Sequence, residues 1–85
     1  MKKDYHLISF LYRATRRTAV LKCLDKPKTP KEIAVECELS ISNISNALAE
    51  LKDKELIECI NPEDHISKFY CQTKKGKEVL KMLED

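Results

Sequence analysis

The sequence predicts an α+β fold with helices first, then a two-stranded β-hairpin, then a closing helix. Three observations predict it. Thr29-Pro30-Lys31-Glu32 joins a good N-cap to a proline at the first helical position and a glutamate three residues on, which is the pattern of a capping box. Ser40 then opens an apolar stripe of Ile41, Ile44, Leu48 and Leu51, whose three- and four-residue spacing is that of a helix burying one side. Finally, two runs, 56–60 and 67–72, flank Asn61-Pro62-Glu63-Asp64-His65, a stretch rich in turn formers, and the second run carries the strand-favouring Phe69 and Tyr70.

Taken in order, residues 4–25 read as helix in two pieces. Leu7, Ile8, Leu11 and Tyr12 make one apolar stripe, and Ala19, Val20, Cys23 and Leu24 make another, with Arg13, Arg16 and Arg17 between them. A break is expected near Thr15, which can cap a new helix. Pro27 interrupts the loop 25–28. The third helix places Ile33, Ala34 and Cys37 on one face, and the two-helix unit spans 29–53. The hairpin covers 56–72. Thr73 caps a last helix, Lys74 to Leu83, with Val79, Leu80 and Leu83 on one side, so the terminal segments are 4–25 and 73–84 of a single domain, 1–85.

The outer face of the fourth helix is unusual. Ser42, Asn43, Ser45 and Asn46 are short, uncharged hydrogen-bonding residues and poorer helix formers than Ala, Lys or Glu. Capping accounts for Ser40 and partly for Ser42, but Ser45 and Asn46 stand a full turn inside. Reading base edges is a reason for such residues, because Asn can pair bidentately with adenine and Ser can bond bases or phosphates.

The arrangement resembles the helix-turn-helix of winged-helix transcription regulators, and most closely small archaeal regulators of the ArsR/MarR type. The resemblance rests on Glu32-Ile33-Ala34, Leu39-Ser40, Ser42, Ile44-Ser45, Leu48, Leu51, Leu56-Ile57 and a T-x-x-G from Thr73 to Gly76, and covers residues 16 to 83. It implies a winged helix-turn-helix fold, with the hairpin as the wing, binding to double-stranded DNA, and a homodimer. Members usually carry Gly just before the Leu-Ile pair, where the chain leaves the helix in a left-handed conformation. Lys54-Glu55 stand there in this chain, and a non-glycine residue in that conformation costs about 1 kcal/mol. Gln72 stands where relatives often place Leu. An Arg is usual at the place of Arg17, with two readings open, a phosphate contact or a structural ion pair.

At 85 residues, 42% hydrophobic and 35% charged, the chain fits a soluble globular domain with a small core. No apolar run approaches the roughly 20 residues of a membrane span, and 7–12 is too short for a signal segment, so a cytoplasmic location is expected. The net charge of +2 is unevenly spread: residues 1–31 hold nine Lys or Arg against two Asp, and residues 32–85 hold seven Lys against twelve Asp or Glu. A basic first third suits phosphate contact, and equally a solvated surface. Arg17, Lys28 and Lys31 are therefore candidate phosphate partners, and His65 and Lys68 are the basic residues of an otherwise acidic wing.

Catalysis, metal and cofactors find no support. Cys23, Cys37, Cys59 and Cys71 show no C-x-x-C spacing and read as small buried hydrophobes, although Cys59 and Cys71 lie on facing strands and could be neighbours. His6 and His65 are isolated, and one Gly cannot build a phosphate-cradling loop. Tyr5, Ile8, Phe10, Leu11 and Tyr12 exceed what one helical stripe buries, and with Met82 and Leu83 they form the expected dimer surface. The expected function is sequence-specific DNA binding as a homodimer at promoters. The alternative is a winged helix used for protein interaction, which the acidic wing favours.

Overall fold

The computed structural model describes residues 4–84. Five helices and a short hairpin follow in the order α1 (Tyr5–Tyr12), α2 (Thr15–Cys23), α3 (Pro30–Cys37), α4 (Ile41–Asp53), β1 (Ile57–Cys59), β2 (Tyr70–Gln72) and α5 (Lys74–Glu84). The predicted winged helix-turn-helix architecture is the one observed. One core unites Leu7 and Leu11 of α1, Val20, Leu21 and Leu24 from α2 and its end, Ile33 of α3, Ile44, Ala47, Leu48 and Leu51 of α4, Leu56 and Ile57, and Val79 and Leu80 of α5.

The helix starts are set locally. Asp4 caps α1, accepting from the amides of His6 and Leu7. The capping box of α3 is complete, with Thr29 Oγ1 accepting from the Glu32 amide at 3.3 Å and Glu32 Oε1 accepting from the Thr29 amide at 3.0 Å. Ser40 Oγ accepts from the Asn43 amide at 3.1 Å. Thr73 Oγ1 accepts from the Gly76 amide at 3.0 Å and donates to the Glu55 carbonyl at 2.7 Å. The break between α1 and α2 falls where expected, but Ala14 occupies the cap position and Thr15 is the first helical residue. It is the end of α1 that is stabilised: Arg17 donates to the Phe10 carbonyl at 2.8 Å and Thr18 to the Leu11 carbonyl at 3.1 Å. The Leu11 carbonyl also accepts from the Ala14 amide at 3.4 Å, as the last carbonyls of a helix must find partners beyond its end.

Several stripes shift from the prediction. Ala19 is exposed and Leu21 takes its place in the core of α2. Ile41 fits the α4 spacing but remains 52% exposed, because the first helical residue lies beyond the edge of the core. The strands are three residues long, shorter than the predicted runs, and pair antiparallel with Ile57 opposite Gln72, Glu58 opposite Cys71 and Cys59 opposite Tyr70. Side chains replace the ladder in the wing loop. Asn61 donates to the Ser67 carbonyl and accepts from the Phe69 amide, and Asp64 accepts from the amides of Ile66 and Ser67. Cys59 and Cys71 are one step out of register and so fall on opposite faces of the hairpin, which removes the expected neighbourhood.

Two exits are tightly built. The turn between α3 and α4 passes through Glu38 at φ 55°, and the chain leaves α4 through Glu55 at φ 60°. The left-handed exit is thus kept without glycine. Gly76 sits against it: a Cβ there would lie 2.1 Å from the Leu56 carbonyl oxygen. Gln72 also gains a role, since its Nε2 donates to the Leu21 carbonyl at 2.7 Å and its amide to the Leu24 carbonyl at 3.1 Å, closing the end of α2.

Candidate nucleic-acid interface

α4 is pinned on one side and open on the other. Ile44, Ala47, Leu48 and Leu51 anchor it in the core. Glu50 ties it to α2, taking Arg17 Nη2 at 2.5 Å and Arg16 Nη2 at 3.2 Å. The Arg17 hydrogen bond, with a smaller contribution from Arg16, holds the Glu50 carboxyl below its ordinary value. Arg17 also stacks 4.1 Å above the Phe10 ring, so one guanidinium joins α1, α2 and α4. With its side chain only 16% exposed and bound to Glu50, Arg17 takes the part of a structural ion pair, the second of its two readings.

Lys28 is likewise engaged within the chain. Its ammonium donates to the Cys23 carbonyl at 2.6 Å and to Glu36 at 2.7 Å, with 18% of the side chain exposed. The Glu36 contact pushes its pKa up to about 12. The Cys23 thiol donates to the same carboxylate, and burial with that bond pushes its pKa up to about 12 as well, so the thiol stays protonated and unreactive. Lys2 and Lys3 of the basic third lie outside the described residues.

Ser42, Asn43, Ser45 and Asn46 are all exposed, and none of their side chains makes a hydrogen bond among the described residues. At 3.6 residues per turn, Ser42, Ser45, Asn46 and the exposed Ala49 cluster on the face away from the core, whereas Asn43 lies roughly 100° round from Ser42, toward the Glu50 side. Lys31 and Lys68 are exposed and form no ion pair among the described residues. They line a cleft of about 450 Å³ with Thr29, Pro30, Ile41, Ile66 and Ser67, between the starts of α3 and α4 and the wing. His65 is exposed in the wing loop beside Ile66, which is 95% exposed. The geometry therefore gathers Ser42, Ser45 and Asn46 on the outer face of α4, sets Asn43 to one side, and places Lys31 and Lys68 at its flank. Sequence reasoning missed Ile41 as a surface residue and Arg16 as a strut.

The model of the winged helix-turn-helix family matches residues 17–85. The chain belongs to that family. No curated protein matches it in sequence. Among solved structures, this winged helix-turn-helix chain is similar to a variant of ZitR from Lactococcus lactis, with 25% identity and a TM-score of 0.74 over 84% of this chain and 50% of that one. A MarR family regulator from Neisseria meningitidis is 26% identical with a TM-score of 0.71, over 81% of this chain and 51% of its own. Wild-type ZitR in complex with DNA shares the fold at 24% identity and a TM-score of 0.66, over 79% of this chain and 47% of its own. The chain thus spans about half the length of these relatives.

The expected dimer residues divide. Leu11 is fully buried within its own chain, so its place at an interface is corrected: the side chain closes the core beneath the end of α1. Tyr5 and Tyr12 are exposed, Ile8, Met82 and Leu83 are half-buried, and Phe10 is half-buried beneath Arg17. α1 packs against α5, which brings the two terminal segments together. Among the described residues, no cluster of His, Cys, Asp or Glu suits a metal ion, and no helix is long and apolar enough to cross a membrane.

Proposed function

We propose that residues 1–85 act as one domain that binds double-stranded DNA sequence-specifically and regulates transcription at promoters, as a homodimer in the cytoplasm. The observation that carries this reading is the set of unpartnered hydrogen-bonding side chains on the outer face of a helix whose inner face is locked in the core. Water satisfies such groups cheaply, and base edges can replace that water without unpairing anything in the protein. Lys31 and Lys68 beside them supply phosphate contacts. The structural likeness to ZitR in complex with DNA supports the same reading.

A neutral reading face binds weakly alone, so two copies on one duplex are needed. Tyr5, Tyr12, Ile8, Met82 and Leu83 on the joined α1 and α5 provide the apolar surface for a twofold pair. Selection from a random duplex library tests the function. A palindromic consensus with half-sites about one helical turn apart, or a multiple of it, is expected. Absence of any enriched sequence overturns the reading in favour of a protein-interaction module. Sedimentation tests the dimer: the chain should run at twice its monomer mass, and Tyr12→Glu should halve that mass.

A further inference from the structure

The reading face of α4 carries a chemical bias that goes beyond DNA binding as such. From Ile41 to Ala49 the helix has no charged residue and no Gln. Guanine is read most often by Arg or Lys reaching O6 and N7, and cytosine by a carboxylate accepting from N4. Neither kind of group is offered on this stretch, and the first charge beyond it, Glu50, is bound to Arg16 and Arg17. What the stretch does offer matches the other base pair. Asn46 has the donor and acceptor that fit adenine N6 and N7, and thymine presents a methyl group to which only an apolar side chain is complementary.

Ile41 is that side chain. It is half exposed at the first turn of α4, between the unpaired neighbours Ser42 and Ser45 on one side and the cleft of Lys31 and Lys68 on the other. The half of this branched aliphatic group that the fold leaves uncovered stands beside two cations and is positioned to be covered by whatever those cations attract. Ala49, exposed one turn beyond Ser45, adds a second small apolar group on the same face.

We infer that α4 reads A·T pairs, with Asn46 on an adenine and Ile41 on a thymine methyl, while Lys31 and Lys68 hold the flanking backbone. The inference rests on the DNA-binding reading and is tested together with it. Library selection should return half-sites that are mainly A·T under α4. In the selected duplex, thymines are then replaced by uracil one at a time, which removes only the methyl group. One position per half-site should weaken wild-type binding about fourfold, the factor equivalent to burying one methylene-sized group at ~0.8 kcal/mol. Ile41→Ala should bind the thymine and uracil duplexes alike, and Ile41→Val, which keeps branched methyls, should retain the preference. Thermal melting of both variants checks that the fold is intact. Selected half-sites rich in G·C overturn the inference and leave sequence-specific binding standing. A thymine preference that survives in Ile41→Ala overturns the role of Ile41. If no sequence is selected, the DNA reading fails and this inference falls with it.

Discussion

The two sides of α4 are chemical opposites. Toward α2 it presents Glu50, fully charged, half-buried and bound to two arginines. Away from the core it presents Ser42, Ser45 and Asn46, uncharged, exposed and bound to nothing among the described residues. On α4, the full charge facing α2 acts as a strut, and the neutral polar groups on the outer face remain free for a visitor. The physical reason is desolvation. A carboxylate pulled part-way out of water needs a matching cation, and the pair then fixes two helices; an exposed amide keeps its water until something better replaces it.

The largest effect tests the frame on which both sides depend. Gly76→Ala drives a Cβ into the Leu56 carbonyl, where backbone cannot yield, and should destabilise the fold by ~3 kcal/mol in denaturant unfolding. An unchanged midpoint would show that α5 can shift away from the α4 exit. Next is the strut itself. Glu50→Ala strands Arg16 and Arg17 and should cost about 2 kcal/mol, the scale of hydrogen bonds to charged groups. The same strut fixes an acid dependence. Arg17 and Arg16 hold the Glu50 carboxyl below its ordinary 4.5, so its contribution is complete above that pH and is lost as pH falls through the lowered value. Wild type should therefore lose stability more steeply than Glu50→Gln below pH 4.5; parallel acid melts would remove the strut from the account.

On the open side the signature reverses. Asn46→Ala should leave stability within about 0.5 kcal/mol, yet weaken binding to the selected duplex by roughly 1–3 kcal/mol. A drop in stability without a change in affinity would make Asn46 a strut as well. The smallest effect is favourable. Glu55→Gly relieves a left-handed non-glycine residue and should stabilise by about 0.5–1 kcal/mol, with DNA affinity unchanged. Loss of stability would mean that the Glu55 side chain, 3.9 Å from Lys75, matters more than its backbone.

What was legible in the sequence follows the same division. Thr29, Ser40 and Thr73 act on amides three residues ahead, so their caps are readable from local spacing. Arg17 is bound by a residue 33 positions away, and Lys28, in the loop before α3, by one eight positions away on that helix; local spacing does not reveal such partners, so the sequence leaves phosphate contact open for both. Gln72 reaches Leu21 across 51 residues, which is why its substitution for an apolar residue had no sequence-level account. The strands are shorter than the runs 56–60 and 67–72 suggest because Asn61 and Asp64, legible as turn formers, bond the backbone of Ser67, Phe69 and Ile66 and so extend the loop into the second run. Those bonds also hold the Asp64 carboxyl low, since the amides of Ser67 and Ile66 point at it; its charge is directed into the loop, which weakens the case for the wing as an acidic docking surface.

The backbone of Lys28 pairs with Tyr70 in both directions, at 3.0 and 2.9 Å, immediately before Thr29 begins α3. This joins the hairpin to the first helix of the helix-turn-helix at the base of the wing. The hairpin consequently has no independent pivot there. Rocking it about β2 either breaks two amide bonds or carries the first turn of α3 along, and α3 packs directly against α4 through the shared core. Any displacement of the wing base is therefore shared with the start of α3, and the hairpin and the two-helix unit behave as one piece.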